Sequence, residues 1–356
     1  MAVALRLLLS LVLVTGLTLP AFAQKPSFTV GWSVYVGWNP YYYMAKSGIL
    51  RKWADKYGIA IKAQRFDYAA SIDAFVAGNV DACVMTNMEA LDLPAASGID
   101  TTAVIVGDYS NGNDVVFARN GATFKTLAGK RVLLVQKTVS EYLFERGMVL
   151  NGMESQLKQV KLVNTSDSDI VTAYMSDASA TGVVTWKPLA SQVAKMKGVT
   201  SLFSSSQVPG EILDLAVVRT DVLNRADGSG QKFAKALTGA WYETMAQMSG
   251  PNADKVLTVV AEAGQDTLAS YKEQLATTKL FYKPAEALEM TRSAGLKEKM
   301  ALVRQFCFKH GLLGKNVASP DDVAIRYADG TVQGKKERVR LRFETSYMQL
   351  AGEGKL

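Results

Sequence analysis

Two cysteines, a single histidine and nine prolines in 356 residues leave several chemistries without their parts. A zinc site needs clustered Cys or His ligands, and a Ser-His or Cys-His nucleophile needs a base beside it; with His310 alone, no metal site and no catalytic set can be named. Cys83 sits in the apolar stretch DACVM and reads as a small core residue. Its separation from Cys307 in sequence says nothing about geometry, so their pairing stays open. His310 reads as a surface or helix-end residue. No phosphate-binding glycine loop is present, and no cofactor is implied. Basic residues are scattered and thicken only in GKKERVRLR near the end, so the formal charge of +7 does not form a nucleic-acid surface. Beyond residue 23 no run is long and apolar enough to span a bilayer.

What is present begins with a segment for export. In residues 1–23, Arg6 supplies the positive charge, LLLSLVLVTGLTL the apolar core, and Ala21-Phe22-Ala23 a small-x-small cleavage site before Gln24. The run is short for a membrane anchor and ends at Pro20. No Cys follows it, which argues against a lipoprotein, so a mature chain free in the periplasm is expected. At 48% hydrophobic and 21% charged, the remainder is ordinary for a soluble globular chain long enough for two lobes.

Aromatics concentrate in GWSVYVGWNPYYY, residues 31–43. Thr29 to Val36 reads as a strand, and Gly37, Asn39 and Pro40 break it before a helix starting near Tyr41. Trp32 and Tyr35 are expected in the core, and Trp38 and Tyr41, on the loop side of the strand's C-terminal end, at a pocket. Strand and helix then alternate: YYYMAKSGILRKWADKYG as helix, IAIKAQRF as strand, ASIDAFVAGN as helix, VDACVMTN as a buried strand, EALDLPAASG as helix and TTAVIVGDY as strand. This is the pattern of βαβ units with helices on both faces of a parallel sheet. Near Ser110 a crossing strand, NDVVFAR, leads to a second set of αβ units through TGVVTW and KPLASQVAKMKG, and DLAVVRTDVL reads as a strand returning to the first lobe. Lobe I is thus expected over 24–118 and 219–356 and lobe II over 119–218, with crossings near Val115–Arg119 and Asp214–Arg219 as hinges. Gly228 to about Leu313 reads as helices packed on the first lobe, and the tail from Ala318 alternates like a hairpin.

The order of motifs resembles the periplasmic substrate-binding proteins of nitrate-, sulfonate- and taurine-type ABC importers. It is carried by the first strand with Pro40 and YYYMAKSGIL, by AFVAGNVDACVM, by FKTLAGKRVLLV and by TGVVTWKPLA. GWNPYYYMAKSGIL, GDYSNGNDVVFAR, SQVPGEILDLAVV and LRFETSYMQLAGEGKL look like the narrower urea-type branch associated with urea or guanidine carboxylases. The resemblance implies a two-lobed α/β fold of the type II periplasmic-binding-protein class, parallel-rich sheets, a ligand cleft between the lobes and a C-terminal helical extension. It implies a monomer that captures a small nitrogenous solute, urea or guanidine-like, and delivers it to a permease and, through it, an ATPase. The alternatives are a nitrate, sulfonate, taurine or pyrimidine-precursor binder, a sensing partner of a membrane receptor, or a two-lobed enzyme on the same fold.

The residues at the strand ends favour a nitrogenous ligand. An oxyanion would want Arg, Lys or His there. These ends instead offer Trp38, Asn39, Tyr41, Asp67, Asn87, Glu89, Asp108, Ser140, Trp186, Glu211 and Asp214 as candidates. Carboxylates accept guanidinium or amidine N–H donors, aromatic faces hold a planar cation, and Asn39, Asn87 or Ser140 could donate to the oxygen of urea. Lys137 is the one dissenting charge. Competing roles exist for several candidates: Asp67 can cap the helix after it, Glu89 can be an exposed helix-start acid, and only one of Glu211 and Asp214 is expected to face the cleft.

Overall fold

The computed structural model describes residues 25–356. The expected export segment lies outside them. The first strand, β1 (Ser27–Trp32), pairs in parallel with β2 (Ala60–Arg65) and β3 (Ala82–Thr86). Between β1 and β2 the expected single helix is two, α1 (Pro40–Lys46) and α2 (Ile49–Lys56), because Gly48 adopts φ +82°, outside the helical region. Helix α3 (Tyr68–Val76) connects β2 to β3, and the short α4 (Asp92–Ala96) precedes β4 (Thr101–Ser110). Every residue of β3 is buried, as a central strand covered on both faces requires.

The smaller sheet takes β5 (Val115–Arg119), β6 (Arg131–Leu134), β7 (Lys161–Asn164), β8 (Ala180–Thr185) and β9 (Val199–Ser204), in the order β7-β6-β8-β5-β9. Helices α5 (Val139–Leu150), α6 (Ile170–Ser176) and α7 (Leu189–Ala194) link its parallel members. Strand β10 (Leu213–Arg219) then returns to the larger sheet, antiparallel to both β3 and β4.

Both segments expected as hinges are therefore sheet strands. β5 is hydrogen-bonded throughout to β8 and β9, so the smaller sheet starts before residue 119, and β10 belongs to the larger sheet from Leu213 onward. The chain passes between sheets at 111–114 and 205–212. These passages lie side by side: the Ser110 and Ser205 hydroxyls are 2.7 Å apart, Gly112 N donates to Ser205 Oγ at 2.7 Å, and Ser205 N donates to the Asp114 carbonyl at 3.0 Å. β9 escapes sequence reading because it is an edge strand in which only Phe203 is buried, formed by non-local pairing with β5.

Helices α8 (Thr220–Leu223), α9 (Ser229–Met248), α10 (Ala253–Ala261), α11 (Leu268–Leu275), α12 (Pro284–Arg292) and α13 (Ala294–Lys309) cover the larger sheet, interrupted by β11 (Thr278–Leu280) against β4. The tail is only partly the expected hairpin. β12 (Ala324–Arg326) and β13 (Val332–Gln333) pair antiparallel, but β14 (Val339–Phe343) inserts between β12 and β4, parallel to both, before α14 (Ser346–Gly352). Its alternation places Val339, Leu341 and Phe343 inward. Among the described residues the two sheets hold nine and five strands, and no helix is long and apolar enough to cross a membrane. Cys83 and Cys307 are free and buried.

Candidate functional site

The C-terminal ends of β1, β3 and β8 meet the middle of the molecule where the two passages cross. β10 runs antiparallel between β3 and β4, and its register sets Asp214 directly beside Asp108 on one side and Thr86 on the other. Facing residues of adjacent strands have neighbouring side chains. Both aspartates are buried, and no other residue donates to Asp108 Oδ2 or Asp214 Oδ2; the two carboxyl groups lie within hydrogen-bonding reach of each other, so a proton on one can bridge to the other. Asp108 Oδ1 accepts the Tyr35 hydroxyl at 3.2 Å. A third acid, Asp114, enters from the first passage between sheets and is also buried.

Burial without a countercharge disfavours the ionised form. It raises the Asp108 carboxyl to about 7, against a weaker opposing effect of its hydrogen bonds, and raises Asp114 to about 7 as well. Asp214 is pushed well above the ordinary range by burial first and by Asp108 second.

Two small chambers adjoin these acids, each with a volume of about 10 Å³, on the scale of a single water. One lies against Gly37, Tyr41, Asp108 and Trp241; the other against Tyr35, Tyr68, Asp114 and Trp186; Trp38 and Asp214 line both. No Lys, Arg or His lines either. The rings form a chain from one lobe to the other: Tyr35 to Trp38 at 5.0 Å, Trp38 to Tyr68 at 5.2 Å and Tyr68 to Trp186 at 5.5 Å between centroids. Trp186 Nε1 donates to the Val34 carbonyl at 3.1 Å, so the second lobe's wall is bonded to the first. Trp38 Nε1 is buried and unpartnered. Gly37 is required by this packing, since a Cβ there would overlap the Asp108 carboxylate.

Of the sequence candidates, Trp38, Tyr41, Asp108, Trp186 and Asp214 meet at these chambers. Both Asp108 and Asp214 face the cleft, and Glu211 does not. Its carboxylate accepts the Tyr142 hydroxyl at 2.6 Å and a two-point ion pair from Arg146 at 2.8 and 2.9 Å, which leaves it nothing for a ligand. Asn87 is spent on backbone, donating to the Glu211 carbonyl and accepting from Leu213 N, each at 3.0 Å. Asn39 is buried beside Gly264 and lines neither chamber. Asp67 is exposed, and although it precedes α3 its side chain makes no cap bond. Glu89 is fully buried rather than exposed; it accepts from Val139 N at 2.7 Å and from the Thr86 hydroxyl, beneath the second chamber. The Ser140 hydroxyl is buried without a partner at the same helix start. Lys137 is exposed and lines neither chamber, which removes the dissenting charge.

Sequence reading missed Tyr35, Tyr68, Asn113 and Asp114. Tyr35 was expected in the core, yet its hydroxyl reaches Asp108 and receives Asn113 Nδ2 at 3.4 Å. The legible signal for Asp114 was an acid placed where the chain crosses between lobes. His310 lies at the end of α13 as expected, 2.7 Å from Glu145 and 3.5 Å from Glu141 across a groove of about 670 Å³. That groove is the larger cavity, but its acids are paired within it: Lys309 also meets Glu145 at 2.9 Å and Glu154 at 3.5 Å. Among the described residues no group of three or more Cys, His, Asp or Glu is placed to hold a metal ion.

No protein-family model matches the sequence, and no curated protein matches it. Solved structures do match in fold. The alkanesulfonate-binding protein SsuA of Xanthomonas axonopodis pv. citri, bound to MOPS, aligns with TM-score 0.65 at 13% identity, over 83% of this chain and 97% of its own. The periplasmic nitrate-binding protein NrtA of Synechocystis PCC 6803 aligns with TM-score 0.57 at 11% identity, over 93% and 99%. A Candida albicans protein described as exhibiting the generic periplasmic binding protein structural fold aligns with TM-score 0.57 at 11% identity, over 80% and 95%. The chain therefore has the periplasmic binding protein fold, a two-lobed α/β architecture with a C-terminal helical region.

Proposed function

We propose that this chain is an extracytoplasmic solute-binding protein which traps a small nitrogenous cation, guanidinium or a compact relative, between its lobes and presents it to the permease of an ABC importer. The observation that carries the ligand class is the adjacent acid pair Asp108 and Asp214, whose Oδ2 atoms take no donor from any other residue and which sits within aromatic walls with no basic side chain lining the chambers. A buried carboxylate without a partner is costly, and a planar cation with several N–H donors removes that cost while stacking on Trp38 or Trp186. Urea, being neutral, would meet the acids in their protonated form and gain no charge-assisted bond, although Trp38 Nε1 offers a donor for its oxygen. Sulfonate or nitrate would meet carboxylates where it needs cations. Each chamber in the closed form holds no more than a water, so a cation of four heavy atoms is accommodated only as the lobes part.

The binder reading is also favoured over an enzyme because the chambers carry acids and rings but no nucleophile–base pair. Delivery to permease and ATPase, periplasmic location and a monomeric state belong to the same proposal. A thermal-shift and calorimetric screen of guanidinium, methylamidines, urea, nitrate and taurine tests it. A ligand at a hundredfold its dissociation constant stabilises by about 2.7 kcal/mol, well within reach of the method. Guanidinium or an amidine should give the largest shift; a shift from nitrate or taurine with none from the cations would overturn the ligand class.

A further inference from the structure

Of the helices that start at the cleft, α5 and α3 each have their first amide bonded by a carboxyl group from the opposite lobe. α5, in the smaller lobe, gives Val139 N to Glu89 Oε1 at 2.7 Å, and Glu89 comes from the turn after β3 of the larger lobe. α3, in the larger lobe, gives Tyr68 N to Asp167 Oδ1 and Oδ2 at 3.3 and 3.2 Å, and Asp167 comes from the segment after β7 of the smaller lobe. Local capping is not the reason for either bond. Thr138 already caps α5 through Ser140 N at 3.2 Å, while Asp67, in position to cap α3, leaves its side chain unused. Glu89 is fully buried and braced by the Thr86 hydroxyl.

Free amides and the helix dipole make a helix start the place where a cleft would hold an anionic ligand. Here both starts are filled from within the chain. We propose that Glu89 and Asp167 are reciprocal latch residues: each carboxyl group accepts the first amide of the other lobe's helix, so the lobes close without an oxyanion at either of these two helix starts. This rests on the reading of the chain as a closing trap, and adds which groups hold it shut. Their contacts exist only across the cleft, so both are lost on opening. The acids that face the ligand, Asp108 and Asp214, are left free for a cation.

The test measures the separation of the lobes with no ligand present. Spin labels on Met175→Cys in α6 and Leu302→Cys in α13 use side chains that are 66% and 43% exposed, whereas Cys83 and Cys307 are buried. Pulsed dipolar spectroscopy on the parent should show a substantial population at the short separation. Glu89→Gln and Asp167→Asn should each raise the ratio of open to closed forms roughly tenfold, and the double variant should raise it further. Asp167 is only part-buried, so Asp167→Asn keeps the test alive should Glu89→Gln fail to fold. Distance distributions in the folded variants identical to the parent's would overturn the latch, as would a parent wholly open without ligand. Because no ligand enters the measurement, failure of the guanidinium screen leaves this result standing, and the converse holds.

Discussion

Asp108 and Asp214 are direct cross-strand neighbours on β4 and β10, two buried carboxyl groups side by side with no basic side chain at the chambers they line. Natural cores do not keep such a pair for stability, since burial of an unpaired charge costs several kcal/mol. Replacing Asp108 by Asn preserves size and removes the charge. Guanidinium should then bind ten- to a hundredfold more weakly, the equivalent of roughly 1.5–3 kcal/mol for a charge-assisted hydrogen bond. Urea should lose less, and the ligand-free variant should melt higher than the parent. Titration calorimetry and a thermal melt read both effects.

The pH dependence follows from the same acids. Asp108 and Asp114 are raised from 3.8 to about 7 in the folded, ligand-free protein, so between those values the folded state holds protons that the unfolded chain has released. Stability of the ligand-free protein should therefore be greatest below about pH 4, decline as pH rises to about 7, and level off beyond as far as these groups decide it. Cation affinity should run the other way, rising through pH 7 as the carboxylates ionise. Binding near pH 6 should release protons, visible as different calorimetric heats in phosphate and Bis-Tris buffers.

Gly37→Ala adds one methyl group and changes no charge, but the new Cβ would occupy the space of the Asp108 carboxylate. The expected outcome is a cost on the order of 1–3 kcal/mol from overpacking, with ligand binding lost through displacement of Asp108. Chemical denaturation gives the first and calorimetry the second. Wild-type affinity in a folded Gly37→Ala protein would show that the Asp108 carboxylate does not contact the ligand.

Arg146 and Glu211 form a two-point ion pair that joins α5 to the second passage between lobes. Arg146→Met leaves the Glu211 carboxylate buried with only the Tyr142 hydroxyl, and should destabilise by about 3–5 kcal/mol in urea unfolding. The double variant Arg146→Met, Glu211→Gln should recover much of the loss. Neither change should alter the charge dependence of ligand binding, which separates this pair from Asp108 and Asp214.

Most of the alternating strand-and-helix order was legible because buried parallel strands such as β3 read as continuous apolar runs and glycines such as Gly58 mark helix ends. The candidates at strand ends were legible for the same reason: Trp38, Asp108 and Trp186 sit where a strand's pattern stops. What was not legible depends on side-chain direction and on partners distant in sequence. Nothing local in PGEILD says that Glu211 meets Arg146 while Asp214 meets Asp108; only the β10 register decides it. Nor does EALDLP announce that Glu89 is spent on an amide 50 residues later. Tyr35 lies in the core as expected, and what its pattern does not reveal is that its hydroxyl turns to Asp108.

The position of β14 bears on how this chain is made. It lies between β4 and β12, pairing Leu341 with Thr101, so the larger sheet is cut in two until the last strand is available. That sheet can be completed only once Val339–Phe343 have been made, and contacts so far apart in sequence form slowly. A stop only a few codons before β14 would leave β4 without its neighbour on that side, an open sheet edge exposed to pairing with other chains.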